Sequence, residues 1–204
     1  VDNKNGNNLT ERQLVEKVLG GDTQAFSSLI RRTEVLVAHV VCKMIHHPED
    51  RKDIVQDIYL KVFRNLSTFG FRSQFSTWVA RIAYNTCLSF LEKKQIVVYG
   101  EWQGDSDPDK ESRFDQLSRL HAAPDNDAAS TLHSKERAAI IAQSVEQLPP
   151  VFKLLISLYH QEELSYQEIS LITNLPEGTI KSYLFRARKT LRAQLLRHFK
   201  NDEL

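Results

Sequence analysis

The stretch from Leu164 to Leu196, LSYQEISLITNLPEGTIKSYLFRARKTLRAQLL, constrains the fold more than any other part of the chain. Ser165 and Glu168 have the S-x-x-E spacing of a capping box, in which hydroxyl and carboxylate each serve an orphan amide. The spacing predicts a short helix that starts at Ser165 and turns Ile169 and Ile172 inward. Asn174 suits the helix end, because Asn tolerates the left-handed conformation found there. Pro176 and Gly178 interrupt the helical pattern, and Thr179 is the expected cap of a second helix. Helix, short turn, helix is an arrangement that can present its second helix to the major groove of DNA.

At 100° per residue, Ile180, Leu184, Ala187, Leu191 and Leu195 fall on one stripe, which is the expected buried face. Opposite stand Ser182, Phe185, Arg186 and Lys189, with Lys181, Arg188 and Arg192 on a flank. From Thr179 to Lys200 there are seven Lys or Arg and no Asp or Glu. An isolated charge run is usually a solvated face. A single-signed run on the second helix of a capped helix-turn-helix instead points to DNA binding.

The whole-chain net charge is only +1 over 204 residues, so a polyanion-binding surface must be local. The balancing acid lies in Gly100 to Asp127, with eight acidic residues against three basic ones and frequent Gly, Pro, Asp and Ser. This composition marks an extended linker. Roughly 35 residues could span ~100 Å if extended. A 41% apolar and 26% charged composition is ordinary for a soluble globular protein. Cys42 and Cys87 form neither a metal signature nor a disulfide framework and fit a reduced cytosol. No apolar run approaches the ~20 residues of a membrane span, and Val1 to Asn8 reads as a loose polar tail without a signal core.

Upstream of the linker the pattern is helical. Thr10 and Gln13 make another capping box before Leu14, Val15, Val18 and Leu19, and Gly20-Gly21 ends that helix. Asp22 can cap the next, with Phe26, Leu29 and Ile30 inside, and Val35 to Ile45 is apolar enough for the centre of a bundle. His46-His47-Pro48 breaks it; the paired histidines lack partners at metal spacing. From Pro48 to Leu66, Val55, Ile58, Tyr59, Val62 and Leu66 form the expected inner stripe, while Asp53, Gln56, Asp57 and Leu60 face away. An aliphatic side chain bordered by charged and amide groups resembles a partner contact with a polar rim. The loop Ser67 to Gln74, with Phe69, Gly70, Phe71 and Arg72 and with Phe75 beside it, concentrates aromatics. These rings can plug the base of the bundle or receive unstacked bases. The helix from about Ser76 to Gln95 is expected to bury Val79, Ile82, Ala83, Thr86 and Phe90 and to show Thr77, Arg81, Tyr84 and Asn85, with Trp78 at the border. Downstream, helix is expected again near Thr131, and Leu148-Pro149-Pro150 divides it from a helix carrying Phe152, Leu155, Ile156 and Tyr159.

The fold class is therefore all-α: two helical modules, residues 1–95 and 131–204, joined by an extended acidic linker, 96–130. DTQAFSSLI (22–30), HPEDRKDIVQDIYLKVFRNLSTF (47–69) and STWVARIAYNTCLSFL (76–91) resemble region 2 of bacterial extracytoplasmic-function sigma factors. LPPVFKLLISLYHQEELSYQEISLITNLPEGTIKSYLFRARKTLRAQL (148–195) is similar to their region 4. The resemblance implies a cytoplasmic factor that binds core RNA polymerase, through its clamp helices and flap, and promoter DNA. It implies that Asp53, Gln56, Asp57 and Leu60 dock on the polymerase. Phe69, Phe71, Arg72, Trp78, Arg81, Tyr84 and Asn85 would read and open the minus-10 element, and Lys181, Ser182, Tyr183, Phe185, Arg186 and Lys189 would read the minus-35 element. The linker would run toward the RNA exit path. An anti-sigma factor or other recruiting protein is the further expected partner; no cofactor, metal, catalysis or membrane insertion is implied. The chain departs from the family's usual pattern at Tyr183, Glu177 and Phe71.

Two other classes use parts of the same pattern. A response regulator would carry the same C-terminal module behind an alternating strand–helix receiver, and no such alternation occurs. A helical nuclease would need clustered carboxylates, and Asp53 and Asp57 lack a third ligand. A sigma fold recruited by a DNA-bound partner, reading one element weakly, stays open beside ordinary promoter recognition.

Overall fold

The computed structural model describes residues 9–94, 96 and 140–201, with side chains as far as Arg197. The polar tail before Leu9, the expected linker apart from Ile96, and the expected return of helix near Thr131 lie outside these residues. The described residues contain helices and no strand, and they form two compact units.

The first unit is built on α1 (Glu11–Leu19), α2 (Thr23–Met44), α3 (Pro48–Asn65) and α4 (Phe75–Lys93), with a 3-10 turn at Leu66–Thr68. Each start has a local cause. Thr10 accepts the Gln13 N–H at 3.3 Å while the Gln13 side chain accepts the Thr10 N–H at 2.9 Å, completing the capping box of α1. Asp22 accepts from Gln24 and Ala25 at 3.0 and 3.2 Å, and so opens α2. Pro48 opens α3 at a position where a missing N–H costs nothing. Arg51 donates to the Ile45 and His46 carbonyls, at 2.8 and 3.1 Å, and ties the α2–α3 turn.

Helix α2 is the axis of this unit, packing against α1, α3 and α4. Leu29, Val37, Val40, Val41 and Met44 are buried along it, against Leu14 and Val15 of α1 and Ile54, Ile58 and Val62 of α3 as the other buried stripes. Val55 and Tyr59, expected on that inner stripe, are only half-buried, and Ile54 takes the inner place. Helix α4 meets both α2 and α3, so its buried face is wider than a single stripe. Ala80, Tyr84, Cys87 and Leu91 are buried in addition to Val79, Ala83 and Thr86, whereas Ile82 and Phe90 stand half-exposed.

Residues 140–201 hold a helical run at 140–146, then α5 (Pro150–His160), α6 (Tyr166–Thr173) and α7 (Glu177–Asn201). Every residue of α5 from Val151 to Leu158 is buried, Lys153 and Ser157 included. A helix covered on all sides carries the module's core. The Lys153 ammonium reaches the more exposed carboxylate of Glu146 at 2.7 Å, so its buried charge is paired. Ser165 and Glu168 form the expected box: the Ser165 N–H donates to Glu168 at 2.8 Å and the Glu168 N–H to the Ser165 hydroxyl at 3.2 Å. Asn174 takes φ 58, the left-handed helix end. The next helix starts two residues before Thr179, the expected cap. The Pro176 carbonyl accepts the Ile180 N–H at 3.0 Å, which places Glu177 and Gly178 inside the first turn. An acidic residue is favourable there, facing the positive end of the helix.

The Ser165–Glu168 box gives a stability prediction. Two hydrogen bonds from residue 165, the backbone N–H first and the hydroxyl second, hold the Glu168 carboxyl below its ordinary 4.5. A depressed folded-state pKa contributes stability that is present above the unfolded value and lost as pH falls through the folded one. Ser165→Ala should cost about 1 kcal/mol at pH 7 in denaturant unfolding. Glu168→Gln should show a deficit at pH 7 that shrinks as the pH is lowered past 4.5.

Candidate nucleic-acid and protein interfaces

On α3, Asp53, Gln56, Asp57 and Leu60 follow i, i+3, i+4, i+7 spacing and all four are exposed, on one stripe away from Ile54, Ile58 and Val62. Leu60 is 48% exposed and Phe63, three residues on, 46%. The Phe63 ring meets Phe26 edge-on at 5.1 Å, so one side is anchored and the other faces out. Asp57 pairs with Lys61 at 2.9 Å, and Lys61 also donates to the Thr86 hydroxyl of α4 at 3.2 Å. That face therefore combines a fixed acidic and amide rim with two apolar projections. Phe63 was not singled out from the sequence, although its i+3 spacing from Leu60 places it on the same face.

The loop between the 3-10 turn and α4 is an aromatic cluster. Phe69 is 6% exposed and touches three rings: Phe71 at 4.7 Å, Phe75 at 5.3 Å and Trp78 at 5.2 Å between centroids. Phe69 and Phe75 thus take the bundle-plugging role, and a base could not reach Phe69 without displacing its neighbours. Phe71 is half-buried on top of it, and the Arg12 guanidinium lies 4.3 Å from its centroid. Phe71 has φ 53, a left-handed conformation that costs a non-glycine residue roughly 1–2 kcal/mol. Such conformations persist only where surrounding contacts hold them. Arg72 is exposed.

Along α4, Trp78 is half-buried and Arg81 and Asn85 are exposed at i, i+3 and i+7. Tyr84 corrects the expected open face: it is 1% exposed and belongs to the core. The wide contact of α4 with two helices turns it inward, where it cannot touch DNA directly. Burial governs the unusual ionisations nearby. It pushes the Cys87 thiol up to about 12, with Lys61 pulling the other way, and this thiol is not nucleophilic at neutral pH. Burial also raises Tyr59, opposed by the Thr33 hydroxyl at 3.2 Å and reinforced by Glu34. Among the described residues no group of three His, Cys, Asp or Glu is placed to hold a metal.

In the second unit, Ile180, Leu184 and Ala187 of α7 are fully buried, as the stripe requires, and Leu191 and Leu195 half-buried. Lys181 and Lys189 are exposed; Ser182, Phe185 and Arg186 are half-buried. Arg188, expected on the basic flank, is instead buried. Tyr183 packs its ring on Phe152 of α5 at 5.3 Å, and the Arg186 guanidinium sits 5.7 Å from the Tyr183 centroid. Tyr183 is thus placed as the support of Arg186. Lys181 lies 5.2 Å from the Tyr166 ring, which stacks nearly parallel on Tyr159 at 5.0 Å. These aromatic supports join different helices, so no single-helix period announces them. The Ser170 hydroxyl donates to the Leu175 carbonyl at 2.7 Å and holds the turn that presents α7.

Residues 29–96 match Sigma-70 region 2 and residues 138–191 match Sigma-70, region 4. Both regions in one chain, in that order, define a sigma factor of the sigma-70 class. The ECF RNA polymerase sigma-E factor of Escherichia coli is 34% identical over 187 residues, 90% of this chain and 93% of that protein. The RNA polymerase sigma-H factor of Pseudomonas aeruginosa is 31% identical over 188 residues, 89% and 91% of the two chains. The chain belongs to the extracytoplasmic-function family of RNA polymerase sigma factors. Its fold resembles CnrH in complex with the cytosolic domain of CnrY, at 20% identity and TM-score 0.56 over 90% of this chain and 96% of that one. It also resembles the sigma factor RpoE in complex with the anti-sigma factor NepR from Bartonella quintana, at 18% identity and TM-score 0.57 over 85% and 98%.

The placement of Tyr84 beside the exposed Asn85 gives a direct test of which α4 residues are structural. Tyr84→Ala should cost about 3–5 kcal/mol in denaturant unfolding, as a buried aromatic does. Asn85→Ala should stay within ~0.5 kcal/mol of the parent chain.

Proposed function

We propose that this sigma factor docks on core RNA polymerase through the α3 face, reads and opens the minus-10 element with the loop and α4, and reads the minus-35 element with α7. The single observation that carries the reading is the exposed basic face of α7 behind a capped α6, in a chain that also holds a region 2 bundle. Residues 1–95 would form the docking and opening module and 131–204 the upstream-reading module, with 96–130 the acidic linker between them. The factor works in the cytoplasm on this reading. A partner of the kind bound to CnrH and to the Bartonella RpoE would hold it inactive or recruit it.

Residue roles follow the geometry. Leu60, with Asp53, Gln56 and Asp57 around it, would be the apolar centre of the docking face, and Phe63 would extend it. Arg81, Asn85, Arg72 and Trp78 would meet the minus-10 strand. Tyr84 and Phe69 would serve it from beneath, by shaping α4 and supporting Phe71. In α7, Arg186, Phe185 and Ser182 would face base edges, Lys181 and Lys189 phosphates, and Tyr183 would orient Arg186. Opening DNA without ATP requires binding energy for the separated form. Stacking one base on an aromatic ring is worth ~1–3 kcal/mol, comparable with the few kcal/mol needed to take a base out of the stack. Phe71 is the loop ring best placed to supply it, because Phe69 and Phe75 are buried.

The central experiment is transcription by purified core polymerase plus this chain on random-sequence promoters, with sequencing of transcripts and their upstream DNA. Shared minus-10 and minus-35 motifs are expected; transcripts with no common upstream motif would refute the reading. Leu60→Asp should keep the parent circular-dichroism spectrum and lose most core-polymerase binding; normal binding would move the interface elsewhere. Arg186→Ala should relax discrimination at particular minus-35 positions by ~1–3 kcal/mol. Lys189→Ala should weaken binding to all sequences and lower the salt slope by about one phosphate. Uniform loss from both substitutions would reduce Arg186 to a phosphate contact.

A further inference from the structure

Helix α1 reaches the aromatic loop at two points. The Arg12 guanidinium lies over the Phe71 ring, 4.3 Å from its centroid, and Glu11 beside it accepts the Phe75 N–H at 3.4 Å. That amide opens α4, whose N-cap residue Gln74 makes no capping hydrogen bond with its side chain. A carboxylate from α1 therefore stands where a helix N-terminus favours negative charge. Glu11 and Arg12 lie in the first turn of α1, fixed by the Thr10–Gln13 box and by the burial of Leu14, Val15 and Val18. The two contacts bracket the stretch in which Phe71 holds its left-handed conformation.

We propose that Arg12 is a displaceable cover on Phe71: it occupies a ring face on which an unstacked base would lie, and leaves when single-stranded DNA arrives. The proposal rests on the base-capture reading of the loop and names the residue that regulates it. A guanidinium and a base seek the same surface, the π-face of an aromatic ring, and cannot share it. Arg12 is exposed, so its side chain can swing into solvent while α1 stays packed. An exposed cation–π contact is weaker than a base stack, so the base wins. Until then the ring is shielded from solvent and from weak stacking partners. Glu11 has the complementary task of keeping the α4 end of the loop in place during the exchange.

Equilibrium binding of the full chain to fluorescent single-stranded DNA, a pool of random 12-nucleotide strands, tests this across a salt series. The chains are the parent, Arg12→Ala, Phe71→Ala and the double variant. Arg12→Ala should tighten binding about two- to fivefold, the equivalent of ~0.5–1 kcal/mol, with the salt slope unchanged. The same substitution should have no effect in the Phe71→Ala background. Weaker binding with the slope reduced by ~0.7 would make Arg12 a phosphate contact and overturn the proposal. Unchanged affinity, or an equal change with and without Phe71, would overturn it as well. If Phe71→Ala bound the strands as well as the parent chain does, the base-capture reading itself would fall, whatever Arg12 did.

Discussion

The one broad buried face of α2, shared among α1, α3 and α4, is the constraint from which the first unit follows. Its apolar residues contact α1, α3 and α4 in turn, and full burial of each Val, Leu or Met is worth roughly 1.5–3 kcal/mol. Once Ile54, Ile58 and Val62 are committed to that axis, the helical period leaves Asp53, Gln56, Asp57 and Leu60 no place except outside. The face proposed for docking is thus a consequence of the core. A substitution that rotated α3 would damage both together.

Helix α5 plays the corresponding part in the second unit, with a different solution. It is covered on all sides, and the one charge within it, Lys153, is tolerated through its 2.7 Å pair with Glu146. Breaking such a pair by removing one partner leaves an uncompensated buried charge, which is far costlier than losing a surface pair. Phe152 of the same helix carries Tyr183, which in turn lies under Arg186. A buried pedestal, an aromatic spacer and a guanidinium therefore form a chain of contacts from the core to the basic face. Tyr183 is thus the link between the core ring of Phe152 and the guanidinium of Arg186.

The loop before α4 shows aromatic residues dividing two tasks that composition alone does not separate. Phe69 and Phe75 close the bundle, while the half-buried Phe71 rests on Phe69 with φ 53. Phe69 supports Phe71 from beneath, which suits the base capture proposed for that ring. The cover proposed for Phe71 rests on the Arg12 contact, 4.3 Å from the ring centroid, which family resemblance by itself does not contain.

Period and capping are local, so the sequence alone determined the helices, their approximate ends and the two capping boxes. The stripes Ile58–Val62 and Ile180–Leu184–Ala187 were legible for the same reason: a 3.6-residue repeat fixes which side chains share a face. So was the exposure of Leu60, and the single-signed charge of α7. Tertiary structure decided how wide each buried face is. Tyr84 and Arg188 lie near the edge of their helices' stripes, and only the number and angle of packing partners put them inside. The start of α7 at Glu177 in place of Thr179 likewise depended on which carbonyl accepted the Ile180 amide. Contacts between elements remote in sequence, such as Arg12 on Phe71, Glu11 on the Phe75 amide and Tyr183 on Phe152, leave no trace in a helical period. They are set by the packing of helices whose mutual positions a local pattern does not encode.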